Sequence, residues 1–149
     1  MTETVVQVRE KPVSDFSERP VVRGKFLYVG NEKFWVKGVS YGTFLIGENG
    51  EEQLDREVVR RDFALMAEHG FNVVRVHTGP PRWLLDQAQE NGLRVMVGLN
   101  WGEQMAFLDD PKRVKEITDK VRRWIRRCAG HPAVFCYTVG NEITSSIVL

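Results

Sequence analysis

The chain has 149 residues but only two cysteines, no long apolar run and no surplus of either charge sign. Cys128 and Cys136 both fall within apolar patterns, which favours buried free thiols over a disulfide. No Cys/His cluster has the spacing of a metal site, and the sequence predicts neither a metal nor another cofactor. No stretch is apolar for long enough to span a bilayer, and the polar first residues lack the apolar core of a signal peptide. We therefore expect a cytoplasmic protein without membrane contacts.

Charge is nearly balanced, with 21 basic and 20 acidic residues and a net charge of +1 at pH 7. This balance excludes bulk electrostatic attraction to nucleic acid or to an anionic membrane. The predicted third helix is locally basic, which leaves a nucleic-acid surface as an alternative. Because Glu116 and Asp119 interrupt its cations, we interpret it as the solvated face of an amphipathic helix. The cations are Lys112, Arg113, Lys115, Lys120, Arg122, Arg123, Arg126 and Arg127.

A glycine-rich phosphate loop is also missing. In doubly wound sheets such a loop follows the first strand, but the corresponding junction here reads Val39-Ser-Tyr-Gly-Thr-Phe44. Four near-continuous apolar runs alternate with three segments of helical spacing, which is typical of parallel strands covered by helices. The pattern leaves two architectures open, a doubly wound open sheet and a (β/α)8 TIM barrel.

The turn residues and the helix-capping residues predict where the strands and helices begin and end. Residues 1–23 are expected to be an extended lead-in, and residues 24–149 the domain. Gly30-Asn31 predicts a hairpin, Asp55 and Asp110 are predicted helix N-caps, and Gly70 ends the first helix. The hairpin pairs Phe26–Val29 with Lys33–Val36, and the core strands are Gly38–Tyr41, Phe71–His77, Leu93–Asn100 and Ala133–Val139.

Polar residues stand at the carboxyl ends of the predicted strands, where loops of parallel α/β folds converge on a site. Glu142 is the most informative, because a carboxyl group directly after a buried strand is partly desolvated and suited to donate a proton. The alternative is a structural carboxylate that caps a helix or pairs with Arg75. The strand ends carry Ser40, Tyr41, Arg75, His77, Asn100, Trp101, Asn141 and Glu142.

His77 and Trp101 each have a functional and a structural interpretation. His77 is either a catalytic base or a hydrogen-bonded core histidine. Trp101 is either a stacking platform for a sugar ring or rim packing. Tyr41 would join Trp101 as a second platform if the domain binds carbohydrate.

Several segments together resemble the catalytic barrels of glycoside hydrolase clan A, and most closely family 2, the β-galactosidase and β-glucuronidase group. The most specific is the run from His131-Pro132 through a buried strand to Gly140-Asn-Glu142. The others are Phe34-Trp-Val-Lys-Gly-Val-Ser40, Gly70-Phe-Asn-Val-Val-Arg-Val-His77, Pro81-Arg-Trp-Leu-Leu-Asp86 and Asn91-Gly-Leu-Arg-Val-Met96. The resemblance covers residues 24–143 and favours the barrel.

The resemblance implies a role for each site residue. Glu142 would be the general acid/base of a retaining mechanism, and Asn141 would hydrogen-bond the sugar hydroxyl beside the anomeric carbon. Arg75 would orient the second carboxylate. His77, Asn100 and Trp101 would line the sugar site. Two segments depart from the family pattern, Thr78-Gly-Pro-Pro81 and Asn100-Trp101, and leave the substrate open.

The four predicted strands make up only half of a barrel. A full barrel needs eight strands, and this chain supplies four. The family's nucleophile lies on the seventh strand, so we expect these residues alone to be inactive, and we expect two copies to associate through their open edges. The alternative functions are a non-catalytic carbohydrate-binding half-barrel and a structural or nucleic-acid-binding α/β domain.

Overall fold

The computed structural model describes residues 16–42, 53–100 and 109–140. Across these residues the chain forms a small antiparallel sheet, a larger parallel sheet and three helices. The small sheet contains β1 (Val21–Arg23), β2 (Phe26–Val29) and β3 (Glu32–Lys33). The large sheet contains β4 (Gly38–Tyr41), β5 (Val73–Val76), β6 (Arg94–Leu99) and β7 (Val134–Val139); the helices are α1 (Arg56–Glu68), α2 (Arg82–Glu90) and α3 (Pro111–Cys128).

The four parallel strands lie side by side in the order in which the chain makes them, β4-β5-β6-β7. A doubly wound sheet reverses its strand order near the middle, whereas a TIM barrel adds each strand on the same side of the last. The strand order therefore agrees with the barrel and not with the open sheet. The described residues supply four successive strands of such a barrel.

The predicted helix boundaries are confirmed for α1 and α3. The Asp55 carboxylate accepts hydrogen bonds from two backbone N–H groups at 2.8 and 3.2 Å, and Asp110 does the same at 3.0 and 3.2 Å. Pro111 occupies the first turn of α3, where its missing N–H costs nothing. Gly70 follows α1 with a φ of 82°, a left-handed conformation that glycine adopts without strain.

The hairpin differs from the predicted pairing of Phe26–Val29 with Lys33–Val36. The second strand is shorter and begins one residue earlier, at Glu32–Lys33, and β2 also pairs with Val21–Arg23 on its other side, so the last residues of the predicted lead-in form a strand. Phe34 continues the second pairing, because its N–H donates to the Leu27 carbonyl at 2.8 Å. The pairing reaches the lead-in because β-branched valines fit an extended strand.

The main core lies between the large sheet and the helices. Alternate residues of each strand face the helices, where buried Val74, Val76, Val95 and Val97 meet Phe63 and other helix residues. The predicted stripe of α3 is less buried than expected. Cys128 is fully buried, whereas Val114, Ile117, Val121, Trp124 and Ile125 are half-buried.

Asn72 joins the hairpin to the amino end of the large sheet. Its side chain accepts a hydrogen bond from the Lys37 N–H at 2.7 Å and donates one to the Trp35 carbonyl at 2.8 Å. Its backbone carbonyl accepts from the Arg94 N–H at 2.9 Å. One residue thus connects the segment leaving the small sheet with the start of both β5 and β6.

Gly98 allows β5 and β6 to approach closely. A Cβ atom at Gly98 would overlap the backbone carbonyl groups of His77 and Val76. Backbone cannot swing aside as the end of a long side chain can, so any larger residue must separate the two strands.

We expect Gly98→Ala to lower the free energy of unfolding by about 2 kcal/mol, the usual cost of overpacking a core. Chemical denaturation of the purified chain measures this loss. Gly38→Ala is the matched control, because a Cβ there would lie 3.5 Å from the Val73 carbonyl, an ordinary contact. Equal stability of the two variants would contradict the close approach.

Candidate active site

The register of the large sheet aligns four residues in one row. Ser40 lies opposite Arg75, Arg75 opposite Met96, and Met96 opposite Cys136. Their neighbours in sequence pack under the helices, except Phe135, which lies at a bulge of β7 and meets Phe34 of the small sheet. Because side chains alternate across a strand, the row faces the opposite side, which is the interior of a barrel. The predicted arginine is therefore on the face where a barrel site forms.

Arg75 is the charged member of this row. It is half-buried and stands one residue before the carboxyl end of β5. A guanidinium presents a rigid fork of donors that matches a carboxylate. Its placement suits the predicted role of orienting an acidic group in the barrel interior.

His77 and Asn100 both follow strands on the same edge of the sheet. His77 comes directly after β5 and Asn100 directly after β6, and both are half-buried. The His77 backbone presses against Gly98, so this segment is tightly held. The two side chains therefore lie at the carboxyl edge, as the sequence predicts.

Thr138 is a candidate that the sequence interpretation missed. It pairs with Gly98 of β6 and stands two residues after Cys136, so it lies on the same face of the sheet as Met96 and Cys136. Its Oγ1 atom is buried and has no hydrogen-bond partner among the described residues. A buried hydroxyl without a partner costs stability, so a polar group that bonded to this atom would stabilise the site. Counting alternate residues back from Glu142 would have found it.

Tyr41 packs against α1, and its role as a sugar platform remains a prediction. Its hydroxyl donates to an Asp62 carboxylate oxygen at 2.9 Å, and its ring meets Phe63 edge-on with centroids 5.3 Å apart. Both partners belong to α1. Ser40 already occupies the interior face, so alternation turns the next side chain, Tyr41, towards the helices.

The predicted residues Trp101, Asn141 and Glu142 lie outside the described residues. The strand that leads to the last two is described: β7 ends at Val139, and Gly140 follows with a φ of 78°. A non-glycine residue would be strained in that conformation. The roles proposed for these three residues remain predictions.

His131 is a structural member of the most specific motif. It is 1% exposed; its Nδ1 accepts from the Ala133 N–H at 3.1 Å, and its Nε2 lies 2.9 Å from an Asp86 carboxylate oxygen. A ring whose Nδ1 accepts carries its proton on Nε2, which then donates to Asp86. The histidine thus fixes the turn between α3 and β7 onto α2.

The segment Thr78-Gly-Pro-Pro81, which departs from the family pattern, packs against α3. A Cβ on Gly79 would overlap the Trp124 ring of α3. The Cys128 thiol lies 3.8 Å from the Pro80 carbonyl oxygen, where it donates a weak hydrogen bond. This segment therefore forms part of the surface on which α3 packs.

Both cysteines are free, as the sequence predicts. Cys128 is buried, whereas Cys136 is half-buried on the interior face. Among the described residues, no group of three histidine, cysteine or acidic side chains is arranged to hold a metal ion. None of the described helices is long and apolar enough to cross a membrane.

Comparison with known proteins decides the family. The sequence model for the TIM-barrel domain of glycosyl hydrolases family 2 matches residues 21–147. The chain belongs to this family. The match includes the Arg75 segment and the Asn141-Glu142 pair, so the resemblance seen in the motifs and the TIM-barrel fold are both confirmed.

Family 2 relatives show how much of a whole enzyme the chain represents. A beta-galactosidase of Pectobacterium atrosepticum is 30% identical over 109 residues, 64% of this chain and 10% of that protein. A beta-galactosidase of Lactococcus lactis subsp. lactis is 30% identical over 123 residues, 78% of this chain and 12% of that protein. The chain therefore spans about a tenth of the length of these relatives.

Solved structures share the fold of this family 2 chain. Lactobacillus rhamnosus beta-glucuronidase superposes with a TM-score of 0.65 at 22% identity, over 86% of this chain and 22% of that one. The beta-glucuronidase of Parabacteroides merdae has the same TM-score at 19% identity, over 84% of this chain and 16% of that one.

Four side chains of this family 2 domain hold their protons more tightly than usual. Burial raises the pKa of the Cys128 and Cys136 thiols and of the Tyr137 phenol. Burial also raises the pKa of Tyr41, and the hydrogen bond to Asp62 raises it further, since that bond needs the phenolic proton.

A raised pKa in the folded state implies lower stability in alkali. The contribution is complete below the unfolded values of 9.0 for cysteine and 10.0 for tyrosine, and it is lost as the pH rises through the higher folded values. We expect the denaturation midpoint to fall above pH 9. Tyr41→Phe should flatten the fall, and Tyr28→Phe, on the small sheet, is the matched control. A midpoint constant through alkaline pH would contradict the assignment.

Proposed function

We propose that the chain forms the first half of the catalytic barrel of a retaining β-glycosidase, with its sugar site at the carboxyl ends of β4 to β7. The match to the family 2 barrel over residues 21–147 carries this proposal. The half-buried Arg75 on the interior face supports it, because the resemblance assigns the same arginine to the site.

The residues divide the chemistry among them. Glu142 protonates the leaving oxygen and later activates water, as the acid/base of a retaining enzyme must. Asn141 hydrogen-bonds the hydroxyl beside the anomeric carbon. Arg75 orients the second carboxylate, while His77, Asn100 and Trp101 line the sugar. The relatives' names indicate a β-galactoside or a β-glucuronide as the substrate class.

These 149 residues need the second half of the barrel in order to turn over a substrate. Retaining hydrolysis uses two carboxylates about 5 Å apart, and the resemblance places the nucleophile on a seventh strand. We expect the purified chain to release no product from aryl β-galactosides or β-glucuronides. Steady turnover with retained anomeric configuration would contradict this division of the site.

Glu142→Gln tests the catalytic role in a polypeptide that carries these residues within a whole barrel. We expect kcat to fall roughly 100- to 10,000-fold, the usual contribution of general acid–base catalysis. The loss should be largest for alkyl glycosides, because a poor leaving group depends most on protonation. Sugar binding should persist, since the change keeps the shape of the side chain.

Glu116→Gln is the matched control, because Glu116 is exposed on α3. Its activity should equal that of the parent. Equal activity of the two variants on alkyl glycosides would overturn the assignment of Glu142 as the acid/base. Loss of binding along with kcat would point to a non-catalytic role in holding the sugar.

Self-association of the chain is a separate proposal. Among the described residues, β4 and β7 each pair on one side only. A two-fold axis along the barrel would place β7 of each copy beside β4 of the other in the parallel sense, giving eight strands. We expect a dimer by light scattering at micromolar concentration.

Val139→Lys should weaken this dimer, because Val139 is 70% exposed on the edge strand β7. Val22→Lys, at a 73% exposed position of the small sheet, should leave it intact. A parent chain that stays monomeric would refute the paired half-barrels.

A further inference from the structure

The small sheet has two faces with different surroundings. On one face Leu27 and Phe34 lie opposite each other, and the Phe34 ring meets Phe135 of β7 with centroids 5.8 Å apart. The Arg94 guanidinium lies 5.8 Å from the centre of the same ring. Since Arg94 begins β6 and Phe135 stands near the start of β7, this face covers the amino ends of the parallel strands.

The other face, here called the hairpin outer face, alternates rings and cations. The Arg23 guanidinium lies 5.1 Å from the centre of the Tyr28 ring, and the Lys33 ammonium 4.0 Å from that of Phe26. Phe26 also meets Trp35 edge-on at 6.2 Å. The strand register places these side chains together; the face consists of Val21, Arg23, Phe26, Tyr28, Lys33 and Trp35.

Large apolar side chains are exposed on and around this face. Trp35 is 64% exposed and Val21 is 43% exposed on this face, whereas Val22, which pairs with Leu27, is 73% exposed on the opposite face; Val36, next to Trp35 in sequence, is 45% exposed. These four make up half of the large hydrophobic residues that the structure leaves exposed in the described part of the chain. Exposed apolar groups gathered in one short unit are typical of an interaction surface.

The charge of the same segment is one-sided. Residues 18–37 contain five basic residues and two acids, a local net charge of +3 in a chain whose total is +1. Glu32 pairs with Val29, one step out of phase with Lys33 and therefore on the opposite face, and the Glu18 carboxylate lies beside the Gly30 turn. The hairpin outer face is thus cationic although the whole chain is nearly neutral.

We propose that the hairpin outer face docks onto an anionic lipid bilayer. An aromatic residue such as Trp35 is well suited to the headgroup region, an exposed valine such as Val21 to the acyl boundary, and lysine and arginine to lipid phosphates. The balanced total charge predicts no bulk attraction to membranes, and the proposal concerns this local face alone. It is independent of the glycosidase assignment.

Other polyanions fit the face less well. Cations and rings would also suit an acidic polysaccharide or single-stranded nucleic acid, but neither uses an exposed aliphatic side chain such as that of Val21. A bilayer satisfies all three kinds of group at once. Because the small sheet covers the amino ends of the strands, docking would turn the carboxyl edge, with its candidate sugar site, away from the membrane.

Vesicle flotation tests the proposal with the 149-residue chain. We expect it to float with phosphatidylcholine vesicles that contain phosphatidylglycerol and to stay behind with phosphatidylcholine alone, and added salt should release it. Arg23→Gln/Lys33→Gln should weaken partitioning roughly thirty-fold, because each cation near an anionic bilayer contributes a factor of about five. Trp35→Ala should weaken it about tenfold by removing buried apolar area.

The matched control is Arg122→Gln/Arg126→Gln, which removes two exposed cations from α3. This variant should float like the parent, and thermal unfolding verifies that each variant is folded. Equal loss in both double variants would mean diffuse charge attraction and would overturn the proposal. So would failure of the parent to float, or retention of an anionic polysaccharide or oligonucleotide without vesicle binding.

Discussion

The structure depends on one constraint, the shared register of four parallel strands. Side chains alternate across a strand, so the alignment of Ser40, Arg75, Met96 and Cys136 assigns their neighbours to the opposite face, except Phe135 at the bulge of β7. The apolar residues then pack against the helices, and the polar residues of the candidate site face the barrel interior. A slip of one residue would bury the Arg75 guanidinium under the helices, where a charge is costly.

The motifs that mark family 2 combine structural and chemical residues. His131 holds the turn before β7 through Asp86 and Ala133, so it belongs to the framework although it stands eleven positions before the predicted acid/base Glu142. Asn72 likewise stands three positions before Arg75 but ties the hairpin to the sheet. A family signature thus records the scaffold that presents the reacting groups as well as the groups themselves.

Local signals predicted the elements well where one residue decides a boundary. Asp55, Asp110 and Gly70 act through contacts within a few residues, so their roles follow from sequence. The direction of the Tyr41 side chain was not predicted, because standing at a strand end does not say which face a side chain takes. Alternation counted back from Glu142 would have placed Thr138 on the interior face, but the lack of a partner for its hydroxyl among the described residues emerges only from the structure.

The amino-acid sequence by itself determined the alternation of strands and helices, the helix caps and the family, because these depend on short-range spacing and backbone preference. Only the tertiary structure decided the sequential strand order, the interior position of Arg75 and the outward turn of Tyr41. It also decided that the rings and cations of the small sheet share one exposed face. These features depend on register between segments far apart in the chain, which short-range spacing does not encode.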